Sequence, residues 1–439
     1  MSRSRQWDVI VAGGGPTGII AAIAAARCGA KVLLIERYGF LGGLATFHLP
    51  ILSFLDSNGA QMVSGIPEEF IQRVKSMGGS PGHFTHPVLQ SYTPVDSEIV
   101  KNVALLMMQE SEVDLLLHNI VVNVEVSNDR INNLLIQNKS GYHKYSSSII
   151  IDATGDADVA FKSGVPVRVG REKDGLTQAA TLLFRMGNVN LKEVRKYLFK
   201  YPEESYYPLE DLENTYIFMG FKKLVEQGKL HGDYNIPRDY LIFHRIIRED
   251  EVAINTGKIL GLALEVDDLT EAEIEGRKQM SQLVNFLKKY VPGFTKAYLI
   301  DSTVQIGVRE TRRIIGEYVL STEDVLSGHK FSDGITRSRY PLDIHDPSLE
   351  GSFLQQLSSP YEIPYRCLIP RVIRNLLVAG RCISGTHEAL SSARVMGTCM
   401  AMGQAAGVAA ALCALDGISP NRLEVSRLLV TLKSQGALV

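Results

Sequence analysis

The stretch from Trp7 to Glu36 constrains the fold more than any other. Trp7 to Ala12 (WDVIVA) is a short apolar strand. A glycine-rich turn follows, Gly13-Gly14-Gly15-Pro16-Thr17-Gly18, which fits the spacing GxGxxG. Pro16 to Gly29 (PTGIIAAIAAARCG) is an alanine-rich helix that stops at glycine, and Lys31 to Glu36 (KVLLIE) is a second buried strand ending in an acid. Strand, turn, helix and strand form one βαβ unit. A glycine-rich turn alone says little, but here the strand before it, the helix after it and the acid beyond all agree. Gly13 permits the tight turn. Gly15 has no Cβ, so a pyrophosphate can approach the backbone. Gly18 lets helix and strand pack closely. The helix N-terminus directs free N–H groups at phosphate. Glu36 can accept from ribose hydroxyls and repels a 2′-phosphate, which disfavours NADP. The unit reads as a dinucleotide cradle.

Composition excludes several classes. The chain has 439 residues, 45% of them hydrophobic, with 46 basic and 48 acidic side chains. No basic stripe stands out, so no nucleic acid partner is expected. The five cysteines (Cys28, Cys367, Cys382, Cys399, Cys413) are scattered without a CxxC pair. That argues against a disulfide framework and against a metal site, and a reducing, cytoplasmic setting is expected. Arg3 and Arg5 precede an apolar run that superficially resembles a signal peptide, but Asp8 and the glycine-proline break interrupt it. No other long uncharged apolar run is evident, so no membrane span is expected.

Further along, residues 47–95 are turn-rich and read as an insertion. Asp96 to Glu110 has helical periodicity, and Asp114 to Ile151 reads as strands turning at Asn128-Asp129 and Ser140-Gly141. From about Val165 to Arg366 the helices lengthen and carry more charge, and strand pairs such as Tyr240 to Ile247 and Glu251 to Thr256 appear. The expected architecture is α/β: a Rossmann-like dinucleotide-binding domain over 1–164 and 367–439, with an inserted α+β cap over 165–366. The strand Asn375 to Gly380 (NLLVAG) is expected to rejoin the first sheet, followed by a small-residue helix from Ser391 to Leu415.

Three features favour FAD over NAD: the Gly42-Gly43 pair after Glu36, the strand running into Ala153-Thr154-Gly155, and the glycine-containing C-terminal segment. Here the sequence resembles the two-dinucleotide-binding-domain flavoproteins, and more closely the FAD-dependent oxidoreductases of bacteria and archaea. The pieces are VAGGGPTG, ERxGFLGGLAT, IDATGDAD, GVRETRRIIGEY, YPLDIH, IPYR and NLLVAGR with SSARVMGTCMAMGQAAG. The resemblance implies that Gly13, Gly14, Gly15, Pro16, Thr17 and Gly18 hold the pyrophosphate and Glu36 the ribose. It implies that Arg37, Gly42, Gly43 and Ala45 line the cofactor, and that Val121 or Val122 meets adenine through its backbone. Ala153, Thr154 and Gly155 would flank the adenosine half, with Gly380 and Arg381 near the ribityl chain. Arg394, Val395 and Met396, at a helix start, would face the flavin pyrimidine edge, where reduction builds negative charge.

The implied activity is an FAD-dependent oxidoreductase that moves hydride to or from a small organic substrate between two domains, as a dehydrogenase or reductase rather than a monooxygenase. Only one GxGxxG exists, so electrons come from the substrate or from a transiently docking donor or acceptor. A group must then handle a proton. His48, His345 and His387 are the candidates by position, each with a bland alternative as a pocket-lining or anchoring ring. Arg309, Arg312 and Arg313 are candidates to clamp a carboxylate or, alternatively, form an ordinary ion-pair cluster. Other classes stay open: a thiazole-forming or tRNA-modifying relative, or a non-catalytic flavin electron-transfer or sensor protein.

Overall fold

The computed structural model describes residues 6–207, 215–260, 265–348 and 353–439. At its centre is a five-stranded sheet in the order Leu376–Val378, Ser147–Asp152, Trp7–Ala12, Val32–Ile35, Asp114–Leu116. Every pairing in it is parallel. The expected return of the 375–380 strand is met: it pairs with Ser147–Asp152.

Parallel strands buried on both faces need apolar cover on both sides. Along the first strand, Val9 and Val11 face one core while Ile10 and Ala12 face the other. The first core is closed by the helices Pro16–Arg27 and Met396–Asp416. The second is closed by an antiparallel meander, Ile120–Ser127, Arg130–Asn138 and Gly141–Tyr145. Its turns fall where expected, with Asn128, Asp129 and Gly141 all at positive φ.

The two helices meet backbone to backbone. A Cβ on Gly403 would lie 2.3 Å from the Thr17 carbonyl oxygen, and one on Gly407 would lie 2.1 Å from that of Ala21. The pairing of 17 with 403 and 21 with 407 means that the helices run in the same direction. The helix Met396–Asp416 is long and apolar enough to cross a membrane, and 83% of its apolar window is buried. Its apolar surface is spent on this packing. The small-residue helix expected from Ser391 is broken instead: a short helix, His387–Ala393, ends at Arg394, and the long one starts at Met396.

A second sheet is antiparallel, in the order Ile217–Gly220, Leu241–Arg245, Val252–Ile254, Phe184–Gly187, Tyr298–Ser302. One face packs on the helices Leu191–Lys200, Lys222–Leu230 and Val266–Tyr290 through Phe184, Phe218, Leu241, Phe243 and Phe286. This separate core spans Phe184 to Ala297, narrower than the 165–366 expected for a cap. Arg312–Ile314 pairs with Val167–Val169, and Leu320, Ile335, Tyr361 and Tyr365 belong to the first core. The segment read as an insertion over 47–95 is likewise integral. Ile51, Phe54, Ile66, Phe70 and Val74 fill the first core, and the Gln404 side chain accepts from the Ile66 N–H at 3.1 Å.

The glycine contact between the helices leaves no room for a side chain. Gly407→Leu should lower unfolding free energy by about 1–3 kcal/mol or more, read in urea denaturation, with loss of bound cofactor. An unchanged midpoint would mean the helices do not pack this way.

Candidate active site

The cradle forms where the strand order reverses, beside the first strand, at the carboxyl ends of Trp7–Ala12 and Ser147–Asp152. Ligands bind at such switch points in open α/β sheets. Gly13 sits at φ 104°, and a Cβ there would lie 2.5 Å from the Ala153 carbonyl oxygen. A Cβ on Gly18 would lie 1.9 Å from the Gly13 carbonyl oxygen. Gly15 differs: its Cβ would meet nothing within 4 Å, and its φ of −75° is ordinary. It faces the open cleft, as a phosphate-approach glycine should. Neither the Pro16–Arg27 nor the Met396–Asp416 helix has a side-chain cap at its N-terminus, so first-turn N–H groups of both remain available to an anionic ligand.

Glu36 is buried, and its carboxylate accepts from the backbone N–H of Gly14 at 2.6 Å and of Tyr38 at 2.8 Å. It therefore anchors the glycine turn as well as closing the adenosine end. Arg37 donates to the Gln305 side chain at 2.8 Å and lies over the Tyr38 ring.

A cleft of ≈ 130 Å³ is lined by Gly13, Gly15, Pro16, Thr17, Glu36, Arg37, Gly43, Ala153, Thr154, Gly155, Gly380, Arg381, Arg394 and Met396. Other residues named from sequence lie behind it. Gly14 and Gly18 are structural contacts of the turn, and Gly42, at φ 118°, donates its N–H to the Gly14 carbonyl at 2.9 Å. Ala45 is in the first core. Val121 and Val122 sit on the meander, Val121 opposite Ile136 and Val122 at a register shift, outside the lining of this cleft. The chain reaches the acid earlier, where Asn119 donates its N–H to the Glu36 carbonyl at 2.9 Å. Sequence reasoning missed Tyr38, Asp156, Gln305 and Val308 on the cleft wall. Asp156 lay within the quoted IDATGDAD and could have been found. It binds Arg381 at 2.5 Å and Thr311 at 2.9 Å.

The cleft opens into a larger cavity of ≈ 410 Å³. Leu44, Val308, Arg381, Arg394 and Met396 line both. Val395 faces the cavity only. Its apolar walls include Leu49, Leu52, Leu89, Tyr207, Ile217, Met219, Ile242 and Tyr340. The antiparallel sheet forms one wall through its alternation. Leu241 and Phe243 enter the second core, while Ile242 and His244 enter the cavity. The pattern LIFHR carried that signal. At the polar end stand Arg309, Asp343, His345, Asn255 and Arg394.

The proton-handling candidates separate here. His345 lines the cavity, with Nε2 3.4 Å from the Asp343 carboxylate. Burial, reinforced by Arg309, pulls its pKa down to about 3 against the opposing pull of Asp343. His48 lies beside the cavity, with Nδ1 3.0 Å from Ser97 Oγ and Nε2 3.6 Å from Asp301; burial holds it at about 4. His387 is a correction. It is 4% exposed, lines neither space, and is bonded to Glu310 at 2.8 Å rather than to Glu388.

The arginine triplet also divides. Arg313 pairs with Glu310 and donates to the Gly170 carbonyl at 2.7 Å. Arg312 pairs with Asp158 at 2.9 Å and lies over Phe161. Arg309 alone faces the cavity, donating to the Ala179 carbonyl at 2.6 Å and to Thr181 Oγ1 at 3.3 Å. Burial and the guanidiniums of Arg394 and Arg238 lower its pKa to about 9, which leaves it charged near neutrality.

A glycine-lined phosphate turn, two uncapped helix starts and an adjoining cavity define a dinucleotide-binding protein. The sequence model of the family described as FAD dependent oxidoreductase matches residues 8–432. The chain belongs to that family, and FAD is its cofactor. It is also similar to a dihydrolipoyl dehydrogenase of Acholeplasma laidlawii, 27% identical over 167 residues, covering 37% of this chain and 48% of that protein. A 67-residue stretch is 48% identical to the tRNA uridine 5-carboxymethylaminomethyl modification enzyme MnmG of Campylobacter hominis, covering 13% of this chain and 10% of that one. The chain thus spans less than half the length of the curated relatives it matches. Among solved structures, a triple mutant of the flavin-dependent brominase Bmp2 aligns over 98% of this chain and 84% of that chain, with TM-score 0.50 and 13% identity. That likeness shows the fold alone.

Two outcomes are expected. Gly15→Ala should leave the apoprotein's unfolding midpoint unchanged yet lower the bound FAD per chain, measured by absorbance, whereas Gly13→Ala should lower both. Secondly, His86, His244 and His345 are buried and held neutral, with pKa values of about 4, about 4 and about 3 against 6.5 for the free ring. Below pH 6.5 the unfolded chain takes up protons that the folded chain refuses. Stability present above pH 6.5 is therefore lost as pH falls toward 4 and below, by up to roughly 3 kcal/mol per ring. Chemical denaturation across that range checks it, and His86→Phe should flatten the slope.

Proposed function

We propose that the protein is an FAD-dependent dehydrogenase or reductase acting on a small organic substrate in the cavity between the two cores. One observation carries the reading: the cofactor cleft and the cavity adjoin, with Leu44, Val308, Arg381, Arg394 and Met396 lining both. Bound FAD supplies two-electron redox chemistry through its isoalloxazine ring. Gly13, Gly15, Thr17, Glu36, Gly43, Thr154 and Gly380 would hold the adenine dinucleotide part. Arg394 and the N–H groups at the start of the Met396–Asp416 helix would oppose negative charge on the ring. Gly42 and Ala45 would support the loop.

His345 is the proton carrier in this reading. It is held neutral, so near pH 7 it offers a free ring nitrogen, and negative charge from a bound anionic substrate, added to that of Asp343, would raise its proton affinity toward the working pH. Arg309 would position the substrate. His48 and His387 would act by positioning, through Ser97 and Glu310. Electrons would enter or leave with a second substrate or a transiently docked partner, since the chain carries a single glycine fingerprint.

Purified protein should be yellow, and anaerobic addition of a substrate, or of its reduced donor, should bleach the visible flavin band. His345→Gln should keep bound FAD while lowering kcat by about 100-fold or more. A protein that emerges colourless and refuses FAD on reconstitution would defeat the assignment.

A further inference from the structure

The polar end of the cavity holds two groups that the protein leaves unanswered. The first is Arg309. Among the described residues no carboxylate lies within 4.0 Å of its guanidinium. Its contacts are the Ala179 carbonyl, Thr181 Oγ1 and, at 3.5 Å, Asn255 Oδ1. Positive charge gathers around it. Arg238, fully buried, leaves Nε and Nη2 without a hydrogen-bond partner, and Arg394 leaves Nε without one. Asp343 lies 4.0 Å from Arg394, pairs with His345 and acts on Arg309 only from beyond ion-pair distance, so one carboxylate is shared among three groups. An unneutralised guanidinium in an apolar pocket is costly and is normally completed by an anion.

The second is His244. It is 6% exposed, lines the cavity, and neither ring nitrogen has a hydrogen-bond partner. It stands in a wall that is otherwise apolar, opposite Ile217 across the sheet. The two groups are neighbours by register. Arg309 touches Asn255, whose backbone N–H donates to the Ile242 carbonyl at 2.9 Å, and His244 follows two residues on along the same face. Two residues along a strand span about 7 Å. Leu49, Leu52, Leu89, Met219 and Leu354 give the rest of the lining its apolar body, and Asp239 is the other carboxylate on it.

From this we infer that the cavity takes an amphipathic carboxylate: Arg309 binds the anionic head, His244 binds a second oxygen a few atoms away, and the apolar body lies against the leucine and methionine wall. The inference rests on the reading of the cavity as the substrate site and names the class of substrate. A planar guanidinium fork matches a carboxylate in two-point contact, and a neutral imidazole can donate to a carbonyl or accept from a hydroxyl. An amine head in the place of the carboxylate would add positive charge beside Arg309, Arg394 and Arg238.

The test is calorimetric binding to the purified holoprotein near pH 7, with bound flavin read by absorbance in the same samples. The probes are matched sets: decanoate, decanol and decylamine; naphthylacetate and naphthylethanol; and monohydroxylated decanoates. In at least one set the carboxylate should bind tenfold or more tighter than its alcohol, with decylamine weakest. At least one hydroxylated decanoate should exceed decanoate, and His244→Leu should erase that advantage while keeping the preference for the acid. Arg309→Gln should abolish the preference. If it fails to fold, Arg309→Lys should weaken it, because charge remains while the fork is lost. Alcohols or amines binding as tightly as acids, or a preference untouched by the Arg309 variants, would overturn the inference. Such a failure in a yellow protein would leave the flavin assignment standing. A colourless protein that still discriminates would support the carboxylate site while removing the redox reading.

Discussion

The site depends on two helices that touch without side chains. Gly403 against Thr17 and Gly407 against Ala21 bring Met396–Asp416 and Pro16–Arg27 together in parallel. Both N-termini therefore point to the same end of the sheet. Thr17 is level with Gly403, seven residues into the longer helix, so its start extends about 10 Å beyond the glycine turn at 1.5 Å per residue. One dipole end lies at the phosphate turn, and the other lies further along, where the cleft meets the cavity. A side chain at either glycine would separate the helices and misalign these two ends. The same packing also accounts for the apolar character of the longer helix, whose surface is consumed inside the first core.

The cavity is built on a different principle. No single element supplies its chemistry. Asp343 comes from the strand Leu342–Ile344 and His345 from the residue just after it, Arg309 from the chain after Tyr298–Ser302, His244 from the antiparallel sheet, and Arg394 from the break between two helices. That break has a job: it presents Arg394 at the junction of cleft and cavity while freeing the first turn of the next helix. Burial then sets the electrostatics. Histidines lose their charge, while guanidiniums, which hold a proton far more tightly, keep theirs. The result is a cationic patch at one end of an apolar space.

Much of this was legible before any coordinates. The first βαβ unit was readable residue by residue because its contacts are local. Gly13 turns the chain, Gly18 meets Gly13, and Glu36 returns to Gly14 within a few dozen residues. The meander turns at Asn128-Asp129 and Gly141 were equally plain, since positive φ favours those residue types. Less could be read in the middle of the chain. The reach of the second core is not legible in the sequence, because strands such as Gly334–Ser338 carry no mark of which core they join.

The sequence by itself determined the dinucleotide cradle and the parallel α/β sheet that carries it. Those follow from glycine conformational freedom, strand periodicity and an acid at a fixed place in one short unit, while FAD followed from the family resemblance carried by segments along the whole chain. Only the tertiary structure decided among the candidates for chemistry. His387 and Glu388 are adjacent in the chain, yet the ring bonds Glu310, and of three neighbouring arginines only Arg309 reaches the cavity. The physical reason is distance along the chain. Partners far apart in sequence are brought together by packing, and packing depends on the whole core at once, so no local pattern can announce them.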